Sequence, residues 1–449
     1  MSRPGPYCEV DLGDTKLPLW IVPFDEHGAC TGPETRGLFV EELARGGYTD
    51  VFLFSHGWNN TFELAAERYK RFIVGYHDLL RSKALAEPSP YKPLLIGIRW
   101  PSIDLVLPWE KVPQIAAPPG PDEPPPDMDK LAMMDLVKGS LDSSAAEKLE
   151  RLAGQATLPD KEARELAELL ASAYPSDGEL GDDSERPGAD DVMAIWQEIA
   201  DEGFTETEVE SSGPESFGVA VEDRPPAEPI SAGFLSRLDP RDILRAFTVY
   251  KMKDRAGVVG AAGGAPLVRD LLNAGDARLH LVGHSYGSRL LLAAICADPL
   301  PRKVGSLLLL QPAVNCFCFA EEVPKIGKPG GFRVALDRVE EPIFTTFSPN
   351  DRPLHDFFHI AVRRRSDLGD QLKVAGLGEI PSLYAALGGW GPAGLPGEAQ
   401  EVALARFPKR YALDRSVRVY ALNGATGING HSDVVNEWTY WTLYNQMTA

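Results

Sequence analysis

One stretch of this chain leaves little freedom to its fold. Leu279, Leu281 and Val282 carry an apolar run into Gly283-His284-Ser285-Tyr286-Gly287, and Leu290, Leu291 and Leu292 follow in a helical pattern. A strand that turns this sharply into a helix holds its turn residue at strained backbone angles, with the side chain clear of the sheet. Gly283 and Gly287 let strand and helix crowd together behind Ser285. Such a five-residue pattern arises by chance roughly 0.2 times in a chain of this length and glycine content. Its weight therefore rests on what surrounds it.

Further short apolar runs stand at 51–55, 94–99, 305–311, 343–348 and 417–422. Helical patterns cover 61–83, 286–297 and 434–447. Asp239-Pro240-Arg241-Asp242 marks another helix start, with Asp at the N-cap and Pro at the first helical position. Strands that are apolar throughout, alternating with helices, predict an α/β fold with a mostly parallel central sheet covered on both faces.

That rhythm breaks between 105 and 232. The net charge of −20 is concentrated there: residues 121–230 hold 29 Asp and Glu against 8 Lys and Arg, and the rest of the chain holds 36 against 37. Pro118, Pro119, Pro121, Pro124, Pro125 and Pro126 crowd its start. Helical patterns near 129–153, 160–173 and 190–201 carry apolar stripes (Leu131, Met134, Val137; Leu166, Leu169, Leu170; Val192, Ile195, Trp196), separated by turn-rich spacers at 174–189 and 211–230. Stripes need a surface to pack on. We therefore expect a core made of 1–104 and 233–449, interrupted by an acidic, Pro-rich, partly flexible cap at 105–232.

An acidic block disfavours nucleic acid and anionic membrane surfaces as partners. No apolar run approaches the ~20 residues that span a bilayer. The first residues lack the apolar core of a secretory signal, and the five cysteines are scattered, so a reduced, cytoplasmic setting is expected. Cys316-Phe317-Cys318 is too tightly spaced for a zinc knuckle and reads as buried thiols. Neither a metal nor a cofactor is expected.

A serine hydroxyl becomes a nucleophile only beside a base, and the base needs a third group to orient it. On an elbow of this kind the acid follows the serine and the histidine comes last. Of the eight histidines, His355, His359 and His431 come after both Ser285 and a downstream acid. His431 stands in a Gly/Asn loop beyond the last strand, where a base should sit. Asp351 lies in the turn past the 343–348 run; the alternative is that it caps the helix that follows. Asp433 and Asp337 are weaker choices by position. The amides of Tyr286 and Trp58 are the natural oxyanion donors. Gly57 permits close approach, His56 reads as a structural hydrogen-bonder, and His284 as the variable residue of the elbow.

Together these residues resemble the α/β-hydrolases, and more narrowly bacterial serine hydrolases of the DUF900 type. The likeness lies in His56-Gly57-Trp58-Asn59-Asn60-Thr61-Phe62, Trp100-Pro101-Ser102, His284-Ser285-Tyr286-Gly287 and Ser348-Pro349-Asn350-Asp351-Arg352-Pro353-Leu354. It covers roughly 50–104 and 240–449, while the 105–232 insertion has no counterpart. The resemblance implies a cofactor-independent hydrolase of carboxylic esters, with Ser285, Asp351 and His431 as nucleophile, acid and base. A neutral small-molecule ester, of an acyl length left open, is the expected substrate, because an acidic cap over the site repels anions. Thioesterase, lipase, lactonase or peptidase chemistry would use the same groups. A different class of reading makes the acidic block a recruiter of basic partners and the rest a scaffold.

Overall fold

The structure, a computed structural model, describes the chain apart from residues 1–3, 14, 59, 61, 87–89, 103–132, 135, 156, 175–186, 203–237, 363–371, 375–377, 415 and 449. Its centre is a nine-stranded sheet. The strands are β1 (Cys8–Asp11), β2 (Lys16–Pro23), β3 (Asp50–Ser55), β4 (Pro93–Arg99), β5 (Arg278–His284), β6 (Ser306–Leu310), β7 (Ile343–Phe347), β10 (Ala399–Ala403) and β11 (Val419–Asn423). A separate antiparallel pair joins β8 (Leu372–Val374) to β9 (Gly378–Ile380). The large sheet runs β1-β2-β4-β3-β5-β6-β7-β11-β10, with β1 antiparallel to β2 and every other pairing parallel.

Alternating residues of each strand feed two cores. Val51, Leu53, Leu279, Leu281, Leu307 and Leu309 face one side, and Phe52, Phe54, Val282, Leu308 and Leu310 face the other. Helices cover both faces, which is why the central strands carry apolar residues on both sides. On the first side lie α1 (Pro33–Ala44), α6 (Pro240–Val259), α7 (Ala265–Ala274) and α8 (Tyr286–Cys296); on the second lie α2 (Phe62–Ser82) and α9 (Glu437–Met447). Burying a leucine such as Leu281 or Leu309 contributes about 1.5–3 kcal/mol.

Helix α6 starts where the sequence reading placed a start, with the Asp239 carboxylate accepting the Arg241 amide at 2.9 Å. Helix α9 begins three residues later than the 434–447 pattern, because Asn436 and Thr439 form a capping box there. Strand β6 stops at Leu310, one residue short of the 305–311 run, since Gln311 turns to φ +44°.

Between β4 and α6 the structure describes α3 (Ser143–Ala153), α4 (Asp160–Ala173) and α5 (Ala189–Glu202). The 129–153 pattern is not one helix: helical residues at 133–134 and 136–138 end in a turn at Gly139, and Asp142 caps a fresh start by accepting the Ala145 amide at 2.9 Å. Leu166, Leu170, Val192 and Trp196 are buried with Leu244 and Phe247 of α6 in one core. Trp196 also donates to the Asp239 carbonyl at 2.9 Å. The Pro-rich stretch, Leu131 and most of the acidic spacers lie outside the described residues. Among the described residues, no helix is long and apolar enough to cross a membrane.

The sheet has a switch point. From β3 the chain steps outward to β4, then returns to β5 on the other side of β3 and proceeds to β6 and β7. Loops leaving β3 and β5 therefore diverge at their carboxyl ends and open a crevice, which in open α/β sheets is where ligands bind.

Candidate active site

That crevice holds the residues singled out above. Ser285 sits between β5 and α8 at φ +54°, ψ −127°, a conformation a non-glycine residue adopts at a cost of about 1–3 kcal/mol. The surroundings hold it there: its amide donates to the Leu310 carbonyl at 3.1 Å, and its carbonyl accepts the Ser288 amide at 3.0 Å. Glycines make the geometry possible. A Cβ on Gly287 would stand 2.2 Å from the Ser55 carbonyl oxygen, and one on Gly283 would stand 2.7 Å from Ser288 Cα.

Three loops bring the polar groups together. Ser285 Oγ lies 2.8 Å from His431 Nε2, and His431 Nδ1 lies 2.8 Å from Asp351 Oδ2. An ionised carboxylate only accepts, so Nδ1 carries the imidazole proton and Nε2 is left to accept from the serine hydroxyl. All three side chains are buried. The acid turn is laced to the histidine loop, with Ser348 Oγ donating to the Ile428 carbonyl at 2.9 Å and Asn350 Nδ2 to the Ala425 carbonyl at 3.0 Å. Asp351 also fills the capping role weighed against it: Oδ2 meets His431, while Oδ1 accepts the Leu354 amide at 3.1 Å.

The weaker choices lie elsewhere. His355 bonds Asp356 at 2.6 Å and stacks on Trp390 with ring centroids 4.0 Å apart. His359 is buried in the short helix Phe358–Ala361. Asp433 accepts from Asn429 and Asn436, bracing the histidine loop, and Asp337 is exposed.

His56 is structural here. Its Nδ1–H donates to the Gly57 carbonyl at 2.8 Å, its Nε2 accepts the Trp100 amide at 3.4 Å, and its ring stacks on Trp100. Burial drives its pKa down to about 3, so it stays neutral with both nitrogens engaged. Trp100 returns its indole N–H to the His56 carbonyl at 2.9 Å, and Ser102 Oγ donates to the Asn60 carbonyl at 3.3 Å. The Trp-Pro-Ser segment thus fastens the loop carrying Gly57 and Trp58.

His284 does more than fill the elbow. Its Nε2–H donates to the His431 backbone carbonyl at 2.8 Å, and the two rings lie 4.9 Å apart. Burial holds its pKa well below the usual imidazole value, so no second positive charge forms beside His431.

Gly57 is set against the nucleophile. A Cβ there would stand 2.6 Å from Ser285 Cβ and 3.2 Å from Ser285 Oγ. Gly57→Ala should therefore push the serine off its partner; overpacking of this kind costs about 1–3 kcal/mol, and a displacement near 1 Å at reacting atoms costs on the order of 10²-fold in rate. A fluorophosphonate-labelling rate for this variant within threefold of wild type would contradict the contact.

Beside Ser285 opens a narrow, mainly apolar cavity of about 50 Å³, walled by Trp58, Val249, Ala313, Leu354, Phe357 and Phe358. Tyr286 also lines it, and its hydroxyl donates to the Val249 carbonyl at 2.8 Å, tying the elbow to α6. Trp58 Nε1 is shut from solvent with no hydrogen-bond partner among the described residues. Trp58 follows Gly57 in the loop after β3, and Tyr286 takes the first position of α8.

A second Ser–His–Asp set shows what the first has in addition. Ser306 Oγ, His280 and Asp50 are joined at 2.7 and 3.0 Å, at the opposite end of the sheet. There Ser306 opens a regular strand and Arg278 pairs with Asp50 at 2.8 Å. No elbow presents that hydroxyl.

Sequence reasoning missed the His284 bond and Gln311, whose side-chain amide donates to Asp351 Oδ2 at 2.8 Å. The available signal for Gln311 was a polar residue closing an apolar run, the same signal that marks Ser285. Among the described residues, no three His, Cys, Asp or Glu side chains gather as a metal site. The chain matches no family model, no curated protein and no solved structure.

Proposed function

We propose that this chain is a serine hydrolase on an α/β-hydrolase fold, cleaving small carboxylic esters through an acyl-enzyme. The reading is carried by the unbroken Ser285–His431–Asp351 chain, built on a strained elbow at the switch point of the sheet. In this reading Ser285 Oγ attacks the ester carbonyl while His431 Nε2 takes its proton. Asp351 holds the imidazole tautomer and stabilises the imidazolium. The amides of Trp58 and Tyr286 receive the developing oxyanion. His431 then protonates the leaving alkoxide, and a water deprotonated by His431 releases the acid and restores the serine. Residues 105–232 form a cap in this proposal, with α3 and α5 seated on α6 and α4 packed against both of them.

Acyl size follows from the cavity. About 50 Å³ holds on the order of four water-sized groups. With p-nitrophenyl esters from acetyl to palmitoyl, kcat/KM should peak at about two to four acyl carbons and drop at least tenfold by octanoyl. An optimum at eight or more carbons would contradict the acyl pocket while leaving the hydrolase reading intact. The hydrolase reading itself is tested by the same series together with a fluorophosphonate probe. A wild type that turns over no ester and takes no probe would sink it, and the acidic-scaffold reading would stand in its place.

A further inference from the structure

Asp351 is held by three N–H donors on three different segments. His431 Nδ1–H and Gln311 Nε2–H both reach Oδ2 at 2.8 Å, and the Leu354 amide reaches Oδ1. Gln311 is completely buried. Its second amide hydrogen goes to the Gly388 carbonyl at 3.1 Å, and that carbonyl also accepts the Ser348 amide at 3.0 Å. One side chain therefore joins the end of β6, the acid turn and the short helix Leu387–Trp390.

The arrangement carries two local costs. Gln311 Oε1 is buried with no hydrogen-bond partner among the described residues, and the backbone stands at φ +44°, held by its amide donating to Thr346 Oγ1 at 2.9 Å. Turning the amide over would not relieve the first cost. It would set Oε1 against the Asp351 carboxylate and the Gly388 carbonyl, exchanging one unpaired acceptor for two repulsive contacts. Strain and an unsatisfied buried atom in the same residue mark a place that surrounding structure maintains for use rather than for stability.

Resting on the hydrolase reading above, we propose that Gln311 is a positioning residue that sets the basicity of the Asp351–His431 pair. A donor on Oδ2 stabilises the ionised carboxylate and draws charge from the oxygen that faces the imidazole. Without it, Asp351 attracts the His431 proton more strongly, and the imidazolium is favoured. Since attack requires neutral His431, the acid limb of the pH–rate profile then moves to higher pH. The other charged or titratable groups around the pair, among the described residues, are His284, kept neutral by burial, Asp433, fixed by Asn429 and Asn436 on the histidine loop, and Arg68 of α2, which reaches Ser432 Oγ at 3.4 Å. Gln311→Met changes none of them directly.

The experiment is the pH profile of kcat/KM for p-nitrophenyl acetate in wild type, Gln311→Met and Gln311→Leu, with a thermal melt of each. Neither side chain can donate to Asp351, and the shorter, branched leucine fills the site differently, so it supplies the test if the Met variant fails to fold. We expect the acid limb to rise by about half a pH unit or more in either variant, and kcat to fall at least tenfold with KM within a factor of two. An unmoved acid limb overturns the proposal, whatever the rate does. Loss of folding in both variants also overturns it, by assigning Gln311 to stability. Failure of the hydrolase reading looks different, because the wild type itself would then show neither turnover nor fluorophosphonate labelling.

Discussion

Ser285→Ala should lower ester turnover by about 10⁶-fold in kcat, the scale seen when a serine–histidine unit loses its nucleophile. Any residual rate would come from the oxyanion donors and the pocket acting on water. The fold should survive. Alanine keeps the Cβ that Gly57 accommodates, and the amide bond to Leu310 and the carbonyl bond from Ser288 do not involve the hydroxyl. Strain at φ +54° gives a second readout from the same position. Glycine tolerates that backbone, so Ser285→Gly should be as inactive as the alanine variant and more stable, by about 1 kcal/mol. Calorimetry on the three proteins checks this. A glycine variant less stable than wild type would mean that the elbow angles carry no strain, and an alanine variant above 1% of wild-type kcat would remove Ser285 from the nucleophile role.

The elbow was legible because its cause is local. Gly283 and Gly287 announce a close approach within five residues of Ser285. Asp351 and His431 were legible through order alone, since a parallel sheet delivers each strand end to the same edge. The edge strand β10 escaped notice because its exposed Gln400 and Glu401 make no apolar run. Strands β1 and β2 were missed as well: Pro18 interrupts the apolar run of β2, and its partner β1 has one fully buried residue. Gln311 needed the third dimension. Its partner lies 40 positions away, and only the pairing of β6 with β7 shows that a glutamine ending one strand must meet a carboxylate ending the next. The same holds for Trp100 and His56, whose stacking follows from β3 pairing with β4.

Asp351→Asn should cost about 10⁴-fold in kcat with little change in KM, because the carboxylate's surroundings suit an acceptor at every point. Two N–H groups face Oδ2 and one faces Oδ1. An amide can meet that set in two ways, and each places a donor against a donor. With the amide NH₂ at the Oδ2 position, it opposes Gln311 Nε2–H and drives His431 to carry its proton on Nε2, where it can no longer accept from Ser285. With the NH₂ at the Oδ1 position, it opposes the Leu354 amide and loosens the turn that carries the residue. The Leu354 donor is backbone and cannot turn away, whereas the Gln311 amide can rotate, so the first orientation prevails and carries the lost rate, and the variant should retain folding while losing about 1–3 kcal/mol of stability. Steady-state kinetics with p-nitrophenyl acetate and a denaturant titration measure both quantities. Activity within tenfold of wild type would move the acid role to another carboxylate. Asp433, already fixed by Asn429 and Asn436 beside the histidine loop, would be the one to test.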